Sequence, residues 1–520
     1  MIDRFEMRLN AFSSPGSGSS LCGGQVGVEK ESLRVTQDGY ISTAPHSRAL
    51  GSALTNRYIT TDYSEALLEF VTPPVQASWE VIQFLCDIHQ FVYEAIDTEL
   101  LWALSMPCMI RSEADVPLAK YGTSNVGTMK TVYRRGLGHR YGRRMQAISG
   151  IHFNYSLPEV FWPNYQDIEK SRENATDFRS DAYLGLVRNV RRLDWLLLYL
   201  FGASPAVCKS FLSGVDSNLT EFDHGTLYGP HATSLRMSDI GYQHSNQASL
   251  NVSANSLSEY IRDLDQAVRT PNPEYQKIGV KAGSKYLQLN ANLLQIENEY
   301  YSTIRPKRVA RSGERATQAL RRRGVEYVEL RALDISPFDP VGINQRQIKF
   351  LEVFSIYCLL SDSPPIDRLE HQANAHNRAI VAARGREPGL RLRRNDSLLS
   401  MRAWGEEICD GMLSVAEILD KDVDQGYAEA IRNQAEALTD RDLTPSALLI
   451  SELLKTGQPM FSYAMSLSRG HAEYFKALSP ELNVHHEMLH QESISSLERQ
   501  AAIEVEDKVS FEEYLDHYFR

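Results

Sequence analysis

Apolar residues recur along the first two thirds of the chain with two different periods. Val81, Phe84, Leu85, Ile88, Phe91 and Val92 repeat at helical spacing and predict an amphipathic helix over residues 78–102. Residues 181–201, 255–270 and 345–361 carry the same signal. Between them lie short strand-like runs near 148–157, 231–237, 286–296 and 325–335. Another β-like region opens at GVEKESLRV, and Asp38-Gly39 marks a turn between two strands. Helices alternating with short strands that are polar on one face predict an α+β fold, not a doubly wound parallel sheet. From about residue 366 the chain becomes charged, helical and poor in strand signals. The expected organisation is therefore a main region at 25–365 with a mostly helical region at 366–520 packed on it. Residues 13–24 are rich in Ser and Gly, so 1–24 reads as a flexible lead-in.

The strands matter most for what their polar faces carry, because residues i and i+2 of a strand share a face. Glu29 and Glu31 share one face of Gly27–Arg34, with Val28 and Lys30 on the other. Such a pair can supply two oxygen ligands to Mg²⁺; a solvated strand face is the alternative for that segment alone. Glu69 lies inside the apolar run LLEFVTP, where a lone carboxylate is costly without a cation or donors, and Asp62 in the preceding turn is a natural companion. His152 and Asn154 alternate with Ile151 and Phe153, while Tyr327, Glu329 and Arg331 alternate with Val328 and Leu330. Glu329 and Arg331 could form a simple ion pair, or Glu329 could hold a metal while Arg331 grips a phosphoryl oxygen with its planar fork. Placed in one sheet, these four segments would make a carboxylate-lined surface able to hold several Mg²⁺ ions against the phosphates of ATP. No G-x-x-x-x-G-K-[ST] sequence is present, so the chemistry is not that of a P-loop.

Composition narrows the classes further. The chain has 520 residues, 42% of them hydrophobic, which is ample for a large core. Its net charge of −11 disfavours nucleic acid as a partner. Acidity suits divalent cations, but solubility explains it equally well. The basic stretch within residues 305–323 reads as a solvated loop and helix face, with help to nucleotide phosphates as the functional alternative. Six scattered cysteines with no C-x-x-C pair are neither a zinc framework nor a disulfide scaffold. The N-terminus lacks a signal-like apolar segment and the run Trp195–Phe201 is too short to span a bilayer. A soluble cytoplasmic protein with no membrane partner is expected.

The segments GVEKESLRV, ALGSALTNRYITTDYSEALLEFVTP, YGTSNVGTMKTVYRRGLGHRYG, MQAISGIHFNYSLP, ATSLRMSDIGY, LQIENEYYSTIRPKR and VEYVELRALDISPF together resemble glutamate–cysteine ligases of the γ-proteobacterial type, almost without a break from about residue 23 to 360. The resemblance implies a glutamine-synthetase-like fold, whose curved antiparallel sheet forms a funnel. It implies that ATP phosphorylates the γ-carboxylate of glutamate and that cysteine displaces phosphate, the first step of glutathione biosynthesis. It further implies Glu29, Glu31, Asp62, Glu69, His152 and Glu329 as metal and nucleotide ligands (Mg²⁺, with Mn²⁺ as the other candidate), and Glu329 and Arg331 at the chemistry. Arg236 matches the binder of the glutamate α-carboxylate, and Tyr133 and Tyr242 match residues shaping the cysteine pocket. The expected partners are the small molecules glutamate, cysteine and ATP, on a monomer or weak homo-oligomer. A ligase joining glutamate to another amine is the nearest rival, since acceptor choice depends on pocket shape. His486-Glu-Met-Leu-His490 matches H-E-x-x-H, but no recognisable third zinc ligand accompanies it, so a zinc protease is the distant alternative.

Overall fold

The computed structural model describes residues 4–13, 20–212, 217–241, 250–311, 313–395, 397–421 and 425–520. Its centre is a sheet built from β1 (Gln25–Val35), β2 (Ile59–Thr61), β3 (Leu67–Val71), β4 (Leu100–Leu101), β5 (Ile151–Ser156), β6 (Ile304–Lys307) and β7 (Tyr327–Leu333). The order is β6-β7-β5-β1-β3-β2, with β4 also paired to β1, and every pairing is antiparallel. The four polar-faced segments of the sequence thus lie side by side. Registers put Glu29 opposite His152, Glu31 opposite Glu69, and Glu329 opposite Asn154. Because opposed residues share a face, the ionisable groups accumulate on one side of the sheet.

The other side is apolar. Val28, Leu68, Phe70, Ile151, Phe153, Val328 and Leu330 are fully buried there. The long helices Ser78–Ala95, Ala175–Phe201 and Gln345–Leu360 pack on the sheet. Lys30 interrupts this face. Its Nζ lies 2.6 Å from His89 Nε2, and burial pushes the amine down to about 7.

Several expectations differ from what the chain does. Residues 231–237 form a turn and a short 3₁₀ segment, Leu235–Met237, not a strand. There the amides of Thr233 and Ser234 donate to the Ala382 carbonyl, and Leu235 donates to Ser204. Residues 286–296 form no strand beyond the edge of the small hairpin Lys281–Ala282 and Lys285–Tyr286. Their Asn and Gln side chains bind carbonyls of neighbouring segments, as Asn292 does with Val268, and this local bonding competes with a ladder. Cys108, in the loop after β4, and Cys208, at the end of the short strand Ala206–Cys208, form a disulfide, so two of the scattered cysteines are paired after all.

The expected lead-in is partly structured as well. Arg4–Ser13 is a helix. Phe12 is completely buried and stacks on Phe161 at 5.4 Å, while Arg8 binds Glu169 and the carbonyls of Leu360 and Ser361. At the far end of the chain, the helix His486–Glu506 packs against Ser78–Ala95, and its Ser496 accepts the Ser52 amide. Replacing Phe12 with Ala should cost about 3–5 kcal/mol, as for other buried Phe side chains. A melting curve checks this, and an unchanged midpoint would mean that the helix is not docked.

Candidate active site

Above the polar face lies a cavity of about 490 Å³, within the usual range for small-molecule sites. Glu31, Asp62, Tyr133, His152, Arg236 and Arg331 all line it. Glu29, Glu69 and Glu329 sit beside these on the same sheet face. Tyr242 lies outside the described residues.

Three side chains from three adjacent strands converge at one point. His152 Nδ1 is 3.0 Å from Glu29 Oε2 and 3.6 Å from Glu329 Oε1. Glu29, His152 and Glu329 offer ligand atoms within 4.8 Å of one another, the one such group of three or more among the described residues. Asn154 Nδ2 donates to the other oxygen of Glu29 at 3.0 Å. Arg331 Nη1 donates to Glu329 Oε1 at 3.0 Å, and Lys307 Nζ lies 3.3 Å from Glu329 Oε2. Beyond this ion pair, that buried second oxygen has no hydrogen-bond partner among the described residues, which leaves it able to accept a ligand.

A bulge helps aim Arg331. Leu330 pairs with Phe153 and Leu333 with Ile151, so Arg331 and Ala332 together oppose the single residue His152. The Arg331 amide turns instead to the Thr303 carbonyl at 2.8 Å. The Arg331 carbonyl accepts Arg236 Nη2 at 3.2 Å, while Arg236 Nη1 lies 3.8 Å from Asp334 Oδ1. Asp334 is held by Ser204, Ser234 and the Ala203 amide. Gly150 makes room for this arginine: a Cβ there would fall 2.0 Å from Arg236 Nη2. The same glycine donates its amide to Glu31 Oε2 at 2.6 Å.

The carboxylates of this face divide into two kinds. Burial is the largest influence on Glu29 and would raise it, but the hydrogen bond to His152 and the charges of His152 and Lys307 together hold it below the usual range. Burial is likewise overcome at Glu329 by the charges of Lys307 and Arg331, which hold it well below. Burial and the neighbouring Asp62 push Glu31 up to about 8, and burial with Asp62, Glu29 and Glu31 holds Glu69 well above its ordinary value. Burial and Arg331 depress His152, which favours the neutral imidazole that a metal requires. One half of the face is therefore charge-balanced from within, while in the other half the nearby arginines do not offset burial and carboxylate crowding, a deficit that a proton or a cation would make up.

Sequence periodicity located Glu29, Glu31, Glu69, His152, Glu329 and Arg331, and the structure brings all six to one face. It missed Lys307 and Arg305. Arg305, in the stretch read as a solvated loop, is buried on the edge strand β6 opposite Glu329. Their period of two was present in the sequence, masked by Pro306 and by the basic run that follows. That run continues into a helix, Ala316–Arg323, which buries Thr317, Ala319 and Leu320 and exposes Arg321 and Arg322, with Arg321 and Arg323 paired to Asp265 and Glu314. The helix Asn125–Tyr141, which carries Tyr133 and Arg134 to the cavity, escaped a periodicity reading because glycines interrupt it. Gly136 is one of them, and its Cβ position is filled by Gln295 at 2.2 Å.

The glutamate-cysteine ligase family model matches residues 9–381. The chain belongs to the glutamate–cysteine ligase family. It is accordingly an ATP-dependent ligase that forms γ-glutamylcysteine, as the resemblance implied. The glutamate–cysteine ligase of Alcanivorax borkumensis is 49% identical over the full length of both chains. That of Pseudomonas entomophila is 47% identical over 92% of this chain and 91% of its own. The crystal structure of the Francisella tularensis glutamate–cysteine ligase in complex with AMP is 35% identical, with a TM-score of 0.89 over 96% of this chain and 98% of that one. These matches include the α+β fold with its antiparallel sheet. The zinc-protease alternative finds no support: His486 pairs with Glu94 at 3.1 Å and stands edge-on to Phe91.

The raised carboxyl of Glu31 has a defined consequence for the metal-free enzyme. Between its unfolded value of 4.5 and its folded value of about 8, the folded state holds the extra proton, so stability from this group is present at low pH and is lost as pH rises through that window. Glu31→Gln removes the titration. In a chelator, the melting point of the variant should therefore gain on that of the wild type between pH 5 and pH 8; a constant difference would contradict the raised pKa.

Proposed function

We propose that the carboxylate face holds the phosphates of ATP through divalent cations while glutamate and cysteine meet in the cavity above it. The observation that carries this reading is the convergence of Glu29, His152 and Glu329 beside Arg331 at the cavity floor. This donor set fits a cation: two carboxylates, an imidazole held neutral, and a buried Glu329 oxygen with no hydrogen-bond partner. Glu31, Asp62 and Glu69 are the residues for a further ion, since the nearby arginines do not offset the burial and crowding of Glu31 and Glu69. Mg²⁺ suits the oxygen ligands, and the histidine leaves room for Mn²⁺. A cation bound there neutralises charge on the transferring phosphoryl group.

The protein's own groups would do the rest. Arg331, its fork steadied by Glu329, offers its remaining N–H groups to an equatorial phosphoryl oxygen. Arg236, fixed between Asp334 and the Arg331 carbonyl, takes the α-carboxylate of glutamate. This extends the substrate so that its γ-carboxylate oxygen attacks the γ-phosphorus of ATP and ADP leaves. Tyr133, half-buried in the cavity wall, would shape the place of cysteine, a role that the resemblance also gives Tyr242. The cysteine amine then attacks the acyl carbon, and phosphate departs with its bonding electrons. Exclusion of water matters because an acyl phosphate hydrolyses readily. ATP and a reduced thiol as substrates favour a cytoplasmic setting for the reaction.

ADP release with ATP, Mg²⁺ and glutamate should rise strongly when cysteine is added, with γ-glutamylcysteine detected by mass. Glu29→Gln and Glu329→Gln should keep the fold and lower turnover by about 10²–10³-fold or more, the size of loss seen when one preorganised electrostatic stabiliser is removed. Arg331→Lys should also be damaging, because an ammonium cannot reproduce the fork. Full turnover with unaltered Mg²⁺ dependence in the Glu variants would remove these residues from the site.

A further inference from the structure

The cavity has a second wall that the sheet does not supply. It is made by two helices, Ala175–Phe201 and Arg368–Arg384, the latter on the C-terminal side of the boundary expected at residue 365. Arg378 Nη1 joins them by an ion pair of 2.6 Å to Asp194 Oδ2, and Asp194 also accepts the Thr303 hydroxyl at 2.6 Å. One turn before each of these residues, on the same helix face, stand Arg191 and Asn374. Both line the cavity, and both are only 8% exposed.

These two side chains hold donors that no described residue satisfies. Arg191 commits Nη1 to the Val252 carbonyl at 2.8 Å, but its Nη2 has no hydrogen-bond partner. Asn374 Nδ2 has none either. Buried donors left unmet are costly, above all on a charged group, and native structures keep them where a ligand completes them. Arg191 and Arg378 also outnumber Asp194 by one positive charge on this wall. A cationic donor and a neutral one on the same wall suit the two oxygens of a carboxylate.

The reaction brings two α-carboxylates into the cavity, that of glutamate and that of cysteine. We propose that Arg191 and Asn374 bind the α-carboxylate of the amine acceptor, and so select an amino acid over a simple amine. The inference rests on the assignment of the glutamate α-carboxylate to Arg236. It makes the helix Arg368–Arg384 a specificity element instead of a mere cover.

The test compares cysteine with its decarboxylated counterpart, cysteamine, in ADP release by the full chain. Wild-type enzyme should use cysteine far better. Asn374→Leu, nearly isosteric, should raise the KM for cysteine about ten-fold, the loss of one hydrogen bond to a charged group. It should leave the KM values of glutamate and ATP, and the use of cysteamine, unchanged. Arg191→Lys keeps the charge, loses the fork and should shift the same parameter. Melting curves establish that both variants fold. A rise in the KM of glutamate or ATP would give the wall to those substrates and overturn the proposal. Equal losses with cysteine and cysteamine would indicate a packing defect and overturn it too, as would an unchanged cysteine KM. A rise in glutamate KM confined to Arg236 variants supports the underlying assignment separately, so the two failures are distinguishable.

Discussion

Everything at this site depends on holding several carboxylates together out of bulk water. Glu31 and Glu69 face each other on β1 and β3, Glu29 and Glu329 flank His152 and Asn154 on the two sides of β5, and the repulsion within this one face grows as the surroundings lose dielectric. The sheet tolerates this because its opposite face is apolar except for Lys30 and is covered by three long helices, so most of the packing that holds the strands in register does not involve the charged face. The polar face can then be organised for charge alone. Lys307, Arg331 and His152 stabilise two of the carboxylates as anions, while Glu31 and Glu69 are left to protons or to a cation.

The arginines are placed with similar economy. The bulge at Arg331 breaks the pairing with β5 where the side chain must turn toward the cavity, and its carbonyl is used to seat Arg236. Gly150 connects the two systems, with its amide on Glu31 and its missing side chain leaving space for Arg236. Motion of any of these groups is resisted by the others, as a phosphoryl-transfer site requires when catalysis consists mainly of positioning and electrostatic stabilisation.

The periphery serves the same site. The C-terminal helices are not an independent appendage: Ser496 and Gln500 bind the loop at Ser52, and Asp507 holds the start of the helix that carries Tyr133. The helix Arg368–Arg384 contributes Asn374 and Arg378 directly to the cavity. The N-terminal helix closes over Phe161, so residues at both ends of the chain bury surface against the central region.

The sequence by itself determined the faces. A strand repeats every two residues, so Glu29 with Glu31, His152 with Asn154, and Glu329 with Arg331 had to share sides whatever their neighbours were, and the contiguous family resemblance told which chemistry such faces perform. Tertiary structure alone decided which strands lie together, because register and strand order are set by long-range pairing that no local period encodes. It decided that Arg305 and Lys307 join the site across an edge strand, that Cys108 meets Cys208 across 100 residues, and that Arg191 and Asn374 face one cavity from helices far apart in the chain. Local periodicity names the partners a side chain can turn toward; only the packing of distant elements determines which of them it meets.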